Sequence, residues 1–229
     1  MHKIQIKLYE KINMDYMFNN VQDLTSVEMS SENNCQILSM ISTFENCNKL
    51  MDFKISGFNV ELIKSMNKMF YNTSLSNFSF MYFNSTNLED ISYMFAYSSI
   101  ENISLNNIET INVINMSNLF NNCINLKKID LPKFDRNQIK DVSYMFHECN
   151  NLASLNLQYF DTYSVIDMKY MFSICNKLTS LDISRFHTQN VLDMSHMFSG
   201  CKKITSLDLR HFDTSQVTDM SFMFNDCWN

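Results

Sequence analysis

Glycine and proline are almost missing from this chain of 229 residues, which has two glycines and one proline. With so few glycines, the chain cannot form the glycine-rich loops that hold phosphate groups in nucleotide-binding sites. No apolar run approaches the ~18 residues that a membrane-spanning helix needs. Charged residues make up only 18% of the chain and the net charge is −6, which argues against a surface that binds nucleic acid.

Methionine, phenylalanine and cysteine are abundant instead, and an internal repeat explains all three. Phenylalanine recurs at steps of 25 or 26 residues, methionine precedes it, and in six repeats cysteine follows it by three residues. We therefore predict a single domain over residues 1–229 with about nine coils, of which the first, at about 1–36, is degenerate. The phenylalanines that mark the repeat, called the anchor phenylalanines below, are Phe18, Phe44, Phe70, Phe95, Phe120, Phe146, Phe172, Phe198 and Phe224.

Each repeat carries the patterns of two short elements. The segment ITSLDL (204–209) has the apolar alternation of a strand, and VTDMSFMF (217–224) has the spacing of a short α-helical or 3₁₀ turn. Neither element can bury its apolar face alone, but stacked repeats bury it continuously. We therefore predict an α/β repeat fold: a right-handed leucine-rich-repeat solenoid with a parallel sheet on one side and short helical or 3₁₀ turns on the other.

The repeat SLDLRHFDTSQVTDMSFMFNDC (206–227) resembles the repeat of BspA-like leucine-rich-repeat surface proteins, which occur in mycoplasmas, other bacteria, some protists and large viruses. The resemblance is close from about residue 112 onward and weaker back to about residue 37. It implies a function in attachment, such as cell-surface adhesion, binding of host proteins or aggregation. A secreted member of that family carries a signal peptide or lipobox, and this sequence contains neither. The localisation therefore stays open: cell surface or secreted if the chain is a fragment without its signal peptide, and intracellular otherwise.

Three repeated columns resemble metal ligands but have simpler explanations. Methionines suit Cu(I), yet Ile91, Leu119 and Val142 replace them at equivalent positions, which favours core packing. The cysteine spacing does not match zinc sites; disulfides between neighbouring coils are geometrically allowed, but buried, reduced thiols are favoured. An aspartate column that includes Asp193 could be a calcium ladder, although exchange with Asn and Ser favours N-caps. We predict no metal and no cofactor.

Catalytic residues are not indicated by the sequence. The five histidines occupy different repeat positions, and a thiol nucleophile such as Cys149 near His147 also needs an orienting group and an oxyanion site. We therefore predict that the chain is not an enzyme.

Residues just beyond the predicted strands vary from repeat to repeat, as a recognition surface requires. Tyrosine and arginine are enriched at the centres of protein interfaces. The leading prediction is a non-enzymatic protein-interaction scaffold with an adhesin-like surface that binds a host protein or another copy, without nucleic acid and without a membrane span. The alternative is a structural spacer or assembly subunit that associates through its ends, and the oligomeric state stays open. The predicted binding residues are Asp130, Lys133, Tyr159, Asp182, Arg185, Asp208, Arg210 and His211.

Overall fold

The computed structural model describes residues 10–78, 85–134 and 138–227, so residues 1–9 of the predicted first repeat lie outside it. In these described ranges, seven short strands pair in parallel within three sheets, ordered β1-β3, β2-β4 and β5-β6-β7. Partners lie 25 or 26 residues apart, as in the Ile103–Ile129 pair. The strands are β1 (Lys11–Asn13), β2 (Ser26–Ser30), β3 (Gln36–Ser39), β4 (Asp52–Ser56), β5 (Asn77–Phe78), β6 (Asn102–Ser104) and β7 (Lys128–Asp130).

The predicted α/β leucine-rich-repeat solenoid is wrong. The described residues contain no helix, and the strands form three small sheets instead of one continuous sheet. In the described range 138–227 only isolated parallel bridges occur, although Leu157 and Ile183 are buried as the alternation predicts. The alternation therefore identified buried side chains but not the backbone pairing. Pro132, just after β7, has no N–H to extend a sheet at that point.

The predicted helical turns are absent because alternate backbone N–H groups bond to the next repeat. The N–H of Tyr144 donates to the carbonyl of Lys169 at 2.9 Å, and that of anchor Phe146 to Met171 at 2.9 Å. The intervening N–H of Met145 donates within the repeat, to Val142 at 3.2 Å. An α-helix needs every N–H to bond four residues back in its own segment. We call this alternating arrangement around each anchor phenylalanine the turn ladder.

Two residues in each repeat take left-handed backbone angles, one two residues before the anchor and one two residues after it. The second column contains only one glycine, Gly200, at φ 73°. Asparagine and aspartate tolerate this region better than other residues with a side chain. The chain thus forms these turns with hardly any glycine. The asparagines in the second column are Asn20, Asn46, Asn72 and Asn122.

The anchor phenylalanines form one stack through the core. Neighbouring rings are nearly parallel, with interplanar angles of 5–10° and centroid separations of 5.3–5.8 Å, from the Phe18–Phe44 pair to the Phe198–Phe224 pair. One apolar cluster surrounds the stack from Met14 to Met223. Most of the repeated methionines line this cluster, in agreement with core packing, whereas Met220 in the last repeat is 43% exposed.

Phe172→Ala should lower the free energy of unfolding by roughly 3–5 kcal/mol, because it opens a cavity between two rings in a fully buried site. Phe224→Ala is the matched control, since Phe224 is 47% exposed and stacks on Phe198. Urea unfolding of both variants measures the difference. Equal losses in the two variants would contradict the central role of the stack.

Ile174→Asn should raise the free energy of unfolding by about 1 kcal/mol, because a β-branched residue is strained at φ 61°. Four other repeats already carry asparagine at the equivalent position. Ile166→Asn, at an exposed position outside the left-handed columns, serves as the control and should not stabilise the protein. Thermal and urea unfolding measure both effects. A destabilised Ile174→Asn variant would show that packing of this side chain outweighs the backbone strain.

Candidate interaction surface

The predicted binding residues of the last three repeats lie on turns, not beside strands. In each of these repeats a four-residue turn begins at an inward-pointing leucine or isoleucine and ends at a second phenylalanine; both residues are buried in the first two turns and partly buried in the last. The N–H of that phenylalanine donates to the carbonyl three residues earlier, from Phe160 to Leu157 at 2.9 Å and from Phe186 to Ile183 at 2.9 Å. Phe212 repeats the pattern at 3.0 Å.

An asparagine or aspartate side chain holds the start of each turn. Asp182 Oδ1 accepts a hydrogen bond from the N–H of Ser184 at 3.0 Å, and Asp208 Oδ1 from the N–H of Arg210 at 3.1 Å. Asn156 does the same one repeat earlier. Side chains of this kind commonly fix local turns by bonding the backbone two residues on. Asp182 and Asp208 are exposed, and each of them supports its turn through this hydrogen bond.

The third residue of each turn lies at its tip. Tyr159, Arg185 and His211 occupy this position in three successive repeats, and all three are exposed. Arg210 precedes His211 at the second position of the last turn. One backbone geometry thus presents a phenol, a guanidinium and an imidazole in successive repeats.

Two separate contacts involve the tips: Lys133 contacts Tyr159, and His211 contacts the backbone of the preceding turn. Lys133 Nζ lies 5.2 Å from the centroid of the Tyr159 ring, a cation–π contact. His211 Nε2 lies 2.8 Å from the carbonyl oxygen of Ile183, so this imidazole reaches back to the preceding repeat. Hydrogen bonding from Ser184 lowers the pKa of Asp182, and the charges of Arg185 and His211 lower it further.

Arg210 is tied to its own repeat by Asp208. Its Nε lies 2.9 Å from Asp208 Oδ1 and its Nη2 lies 2.6 Å from Oδ2. This two-point contact and the backbone bond hold the pKa of Asp208 well below its usual range. Arg185, in contrast, donates no side-chain hydrogen bond to another described residue. Of these two arginines, only Arg210 is held by a carboxylate of its own repeat.

Asp130 lies apart from this group, at the end of β7. Its carboxylate is 3.6 Å from Lys128 Nζ, and with Asn102 and Ser104 these residues line an open depression of about 330 Å³. A second open depression, of about 660 Å³, is lined by residues 206–210. Small-molecule sites are usually concave and enclose most of their ligand. These two depressions are too open to enclose a small ligand in that way. The binding role of the predicted residues stays a prediction.

The cysteine column has a structural use in the turn ladder. Each thiol donates to the carbonyl of the anchor phenylalanine one repeat earlier, for example Cys149 to Phe120 at 3.3 Å and Cys201 to Phe172 at 3.0 Å. All seven cysteines are free, and Cys227 is the only one that is partly exposed. Burial raises the pKa of Cys201 to about 12. These contacts favour the prediction of packed, reduced thiols.

The aspartate column also supports turns, although it caps no helix. Asp193 Oδ1 accepts from the N–H of Ser195 at 2.8 Å, and Asp141 Oδ1 from the N–H of Ser143 at 2.9 Å. Within the described parts of the chain, no group of three His, Cys, Asp or Glu side chains is arranged to hold a metal ion. The N-cap hypothesis therefore predicted the correct hydrogen bond, from a backbone N–H to the aspartate side chain, but the aspartate supports a turn and not a helix.

A column of stacked rings was missed by the sequence analysis. Tyr144, Tyr170, His196 and Phe222 stack two residues before successive anchors, with centroid separations of 4.6, 4.2 and 4.8 Å. The signal was present, because an aromatic or imidazole ring recurs at this position in four consecutive repeats. We call these four residues the outer ring column. The column ends at Phe222, whose side chain is 61% exposed.

A family model described as "Mycoplasma protein of unknown function, DUF285" matches the chain twice, over residues 12–129 and 115–229. The two matches overlap at residues 115–129 and together cover nearly the whole sequence. No curated protein and no solved structure matches the chain. Across the described residues, no helix has the length and apolar character required to cross a membrane.

The buried thiols should make stability fall at alkaline pH. Unfolded thiols ionise near their ordinary pKa of 9.0, whereas in the folded chain Cys123 and Cys201 keep their protons to about pH 12. The unfolded state loses protons first, so each such thiol lowers the free energy of unfolding by up to about 1.4 kcal/mol per pH unit above pH 9. Urea unfolding at about pH 8 and about pH 10.5 should show a loss smaller by about 2 kcal/mol in Cys201→Ser than in the parent. Equal losses would contradict the raised pKa.

Proposed function

We propose that this chain, which belongs to the family described as "Mycoplasma protein of unknown function, DUF285", is a non-enzymatic protein-interaction module. The observation that carries the proposal is the contrast within the three final turns. Their backbone hydrogen bonds repeat from one turn to the next, while the exposed tips change from Tyr159 to Arg185 to His211. A fixed scaffold with variable tips is the usual design of a repeat protein that recognises a partner.

The chemistry of the tips indicates the kind of partner. Tyr159 offers a large ring that is 47% exposed, and tyrosine and arginine carry much of the binding energy in protein interfaces. Arg185 offers a guanidinium suited to two-point binding of a carboxylate. Because Asp208 already neutralises Arg210, the local positive charge is too small for a polyanion. A protein surface that combines apolar and acidic groups fits best.

In its finer form, the proposal is an adhesin-like module whose partner is a host protein or another copy of the chain. Support comes from the resemblance of the repeat 206–227 to the BspA-like surface proteins, which are associated with attachment. A non-enzymatic role is supported by the hydrogen bonds that the aspartate side chains already make. Asp182, Asp193 and Asp208 all hold turns through backbone N–H groups, which gives each carboxylate a structural task.

The double variant Tyr159→Ala/Arg185→Ala should weaken partner binding by about 5- to 30-fold, as truncation of interface centres does. Both side chains are exposed, so the melting temperature should hardly change. Parent and variant are immobilised at equal density, and the proteins captured from host-cell and bacterial surface extracts are quantified by mass spectrometry. Captured partners are then titrated individually.

The matched control is Tyr97→Ala/Lys140→Ala, which removes an exposed tyrosine and an exposed base near the turn ladder. The control should bind each partner as tightly as the parent. Partners held equally by the parent and both variants would move the binding surface away from the turn tips.

A further inference from the structure

Two tyrosines of the outer ring column lie face to face. The rings of Tyr144 and Tyr170 are 4.6 Å apart between their centroids and only 8° from parallel. Both residues precede their anchors by two positions and have nearly the same backbone angle, φ 57° and φ 56°. The ring separation also matches the spacing of about 4.8 Å between neighbouring strands. The two side chains are therefore related by one repeat, which sets like carbon atoms of the two rings opposite each other.

The turn ladder holds both tyrosines in this arrangement. The N–H of Tyr144 donates at 2.9 Å to the carbonyl of Lys169, the residue just before Tyr170, and the N–H of Tyr170 donates at 2.9 Å to the carbonyl of Ser195. The other face of the Tyr170 ring is covered by His196, with a centroid separation of 4.2 Å. Tyr170 is thus pressed between two rings and has little freedom to turn away from Tyr144.

The phenol groups of the pair are open to solvent. Both side chains are half-buried, yet neither hydroxyl is buried, and no other described residue forms a hydrogen bond with either of them. Burial raises the pKa of Tyr144, and the neighbouring phenol of Tyr170 raises it further. The Tyr144 hydroxyl therefore keeps its proton at neutral pH and lies within electrostatic reach of the Tyr170 hydroxyl.

We infer that Tyr144 and Tyr170 form a site of oxidative cross-linking, at which a one-electron oxidant of the peroxidase class joins the two rings as dityrosine. Hydrogen peroxide is the terminal oxidant: the peroxidase takes one electron and one proton from each phenol, and the peroxide leaves as two waters. The two phenoxyl radicals then form one carbon–carbon bond between ring carbons next to the hydroxyls. Each of these carbons loses its hydrogen as a proton while its phenol oxygen regains one, so the product lacks two hydrogens.

The geometry favours this pair over the other tyrosine contact of the described residues. The rings of Tyr71 and Tyr97 are 5.3 Å apart and tilted by 52°, and the two residues occupy different positions of their repeats, one and two residues after the anchor. Like carbon atoms therefore do not face each other there. Reactants held in the correct orientation react far faster than reactants that must first find it. Cross-linking is therefore expected at Tyr144 and Tyr170 first.

The thiols near the site do not compete for the oxidant. Cys149 and Cys175 are buried, and burial raises the pKa of both thiols well above the ordinary value. Peroxide oxidises thiolates and not protonated thiols, so both cysteines are protected in the folded chain. The accessible phenols are thus the oxidisable groups of this side of the ladder.

The bond would join two neighbouring repeats across the outside of the turn ladder. It links residues 26 positions apart, so it restricts the unfolded chain as a disulfide between the same repeats would. The cross-linked protein should therefore unfold at a higher urea concentration than the parent. This inference does not depend on the proposed partner binding, because the outer ring column and the turn tips are different surfaces.

Peptide mapping of the full-length chain after treatment with a haem peroxidase and hydrogen peroxide tests the inference. The monomeric fraction is separated under denaturing conditions, which removes links between molecules, and is digested with trypsin. Peptides 141–169 and 170–177 should be recovered as one species, two hydrogens lighter than their sum and with the fluorescence of dityrosine. Fragmentation should place the bond between Tyr144 and Tyr170.

Two variants and one change of conditions serve as controls. Tyr144→Phe keeps the ring but removes the phenol, so it should abolish the link between the two peptides. Tyr163→Phe should leave the link unchanged, because Tyr163 is 60% exposed in the same peptide but lies against His187 and not against a tyrosine. In urea, where the rings are no longer held together, the yield should fall by about tenfold or more. A folded parent without the link, an equal yield in urea, or a link that runs from Tyr170 to Tyr163 would overturn the inference.

Discussion

Around each anchor phenylalanine from Phe18 to Phe198, every second backbone N–H donates to the neighbouring repeat, and several other features of the molecule depend on this arrangement. The alternation prevents a helix, because half of the donors leave the segment. It also requires two left-handed residues per repeat to aim successive N–H groups along the stack. The anchor carbonyl keeps a free acceptor position, which the thiol of the next repeat fills, as Cys175 does at Phe146. The high content of methionine, phenylalanine and cysteine thus results from one backbone arrangement that is repeated along the chain.

The scarcity of glycine has a physical cost at particular positions. Asn46 and Asn122 take left-handed angles with little penalty, and Gly200 takes one with none. Ile174 and Tyr170 take the same angles with bulky side chains, so packing must compensate for the backbone strain. For Tyr170 the compensation is visible, since its ring stacks between those of Tyr144 and His196. The outer ring column therefore stabilises left-handed positions that carry bulky side chains.

Sequence periodicity predicted burial well and backbone hydrogen bonding poorly. The burial of Phe146, Met171 and Leu157 follows from the apolar period, because hydrophobic transfer depends on which side chains face inward. The helical interpretation of the segment before Phe224 failed because the same apolar spacing fits the turn ladder, and only the destination of each N–H distinguishes the two. For the candidate site, Tyr159 and Arg185 are exposed as predicted. The task of Asp182 as a turn support was not predicted, because the turn that it holds follows no strand.

Because the turn ladder is made of backbone atoms, it constrains few side chains outside the core. A tip such as Arg185 can change without disturbing the hydrogen bonds of its turn, since Asp182 and the carbonyl of Ile183 supply them. The exposed tips can therefore differ from repeat to repeat, as Tyr159, Arg185 and His211 do, while the backbone hydrogen bonds that join the repeats stay the same.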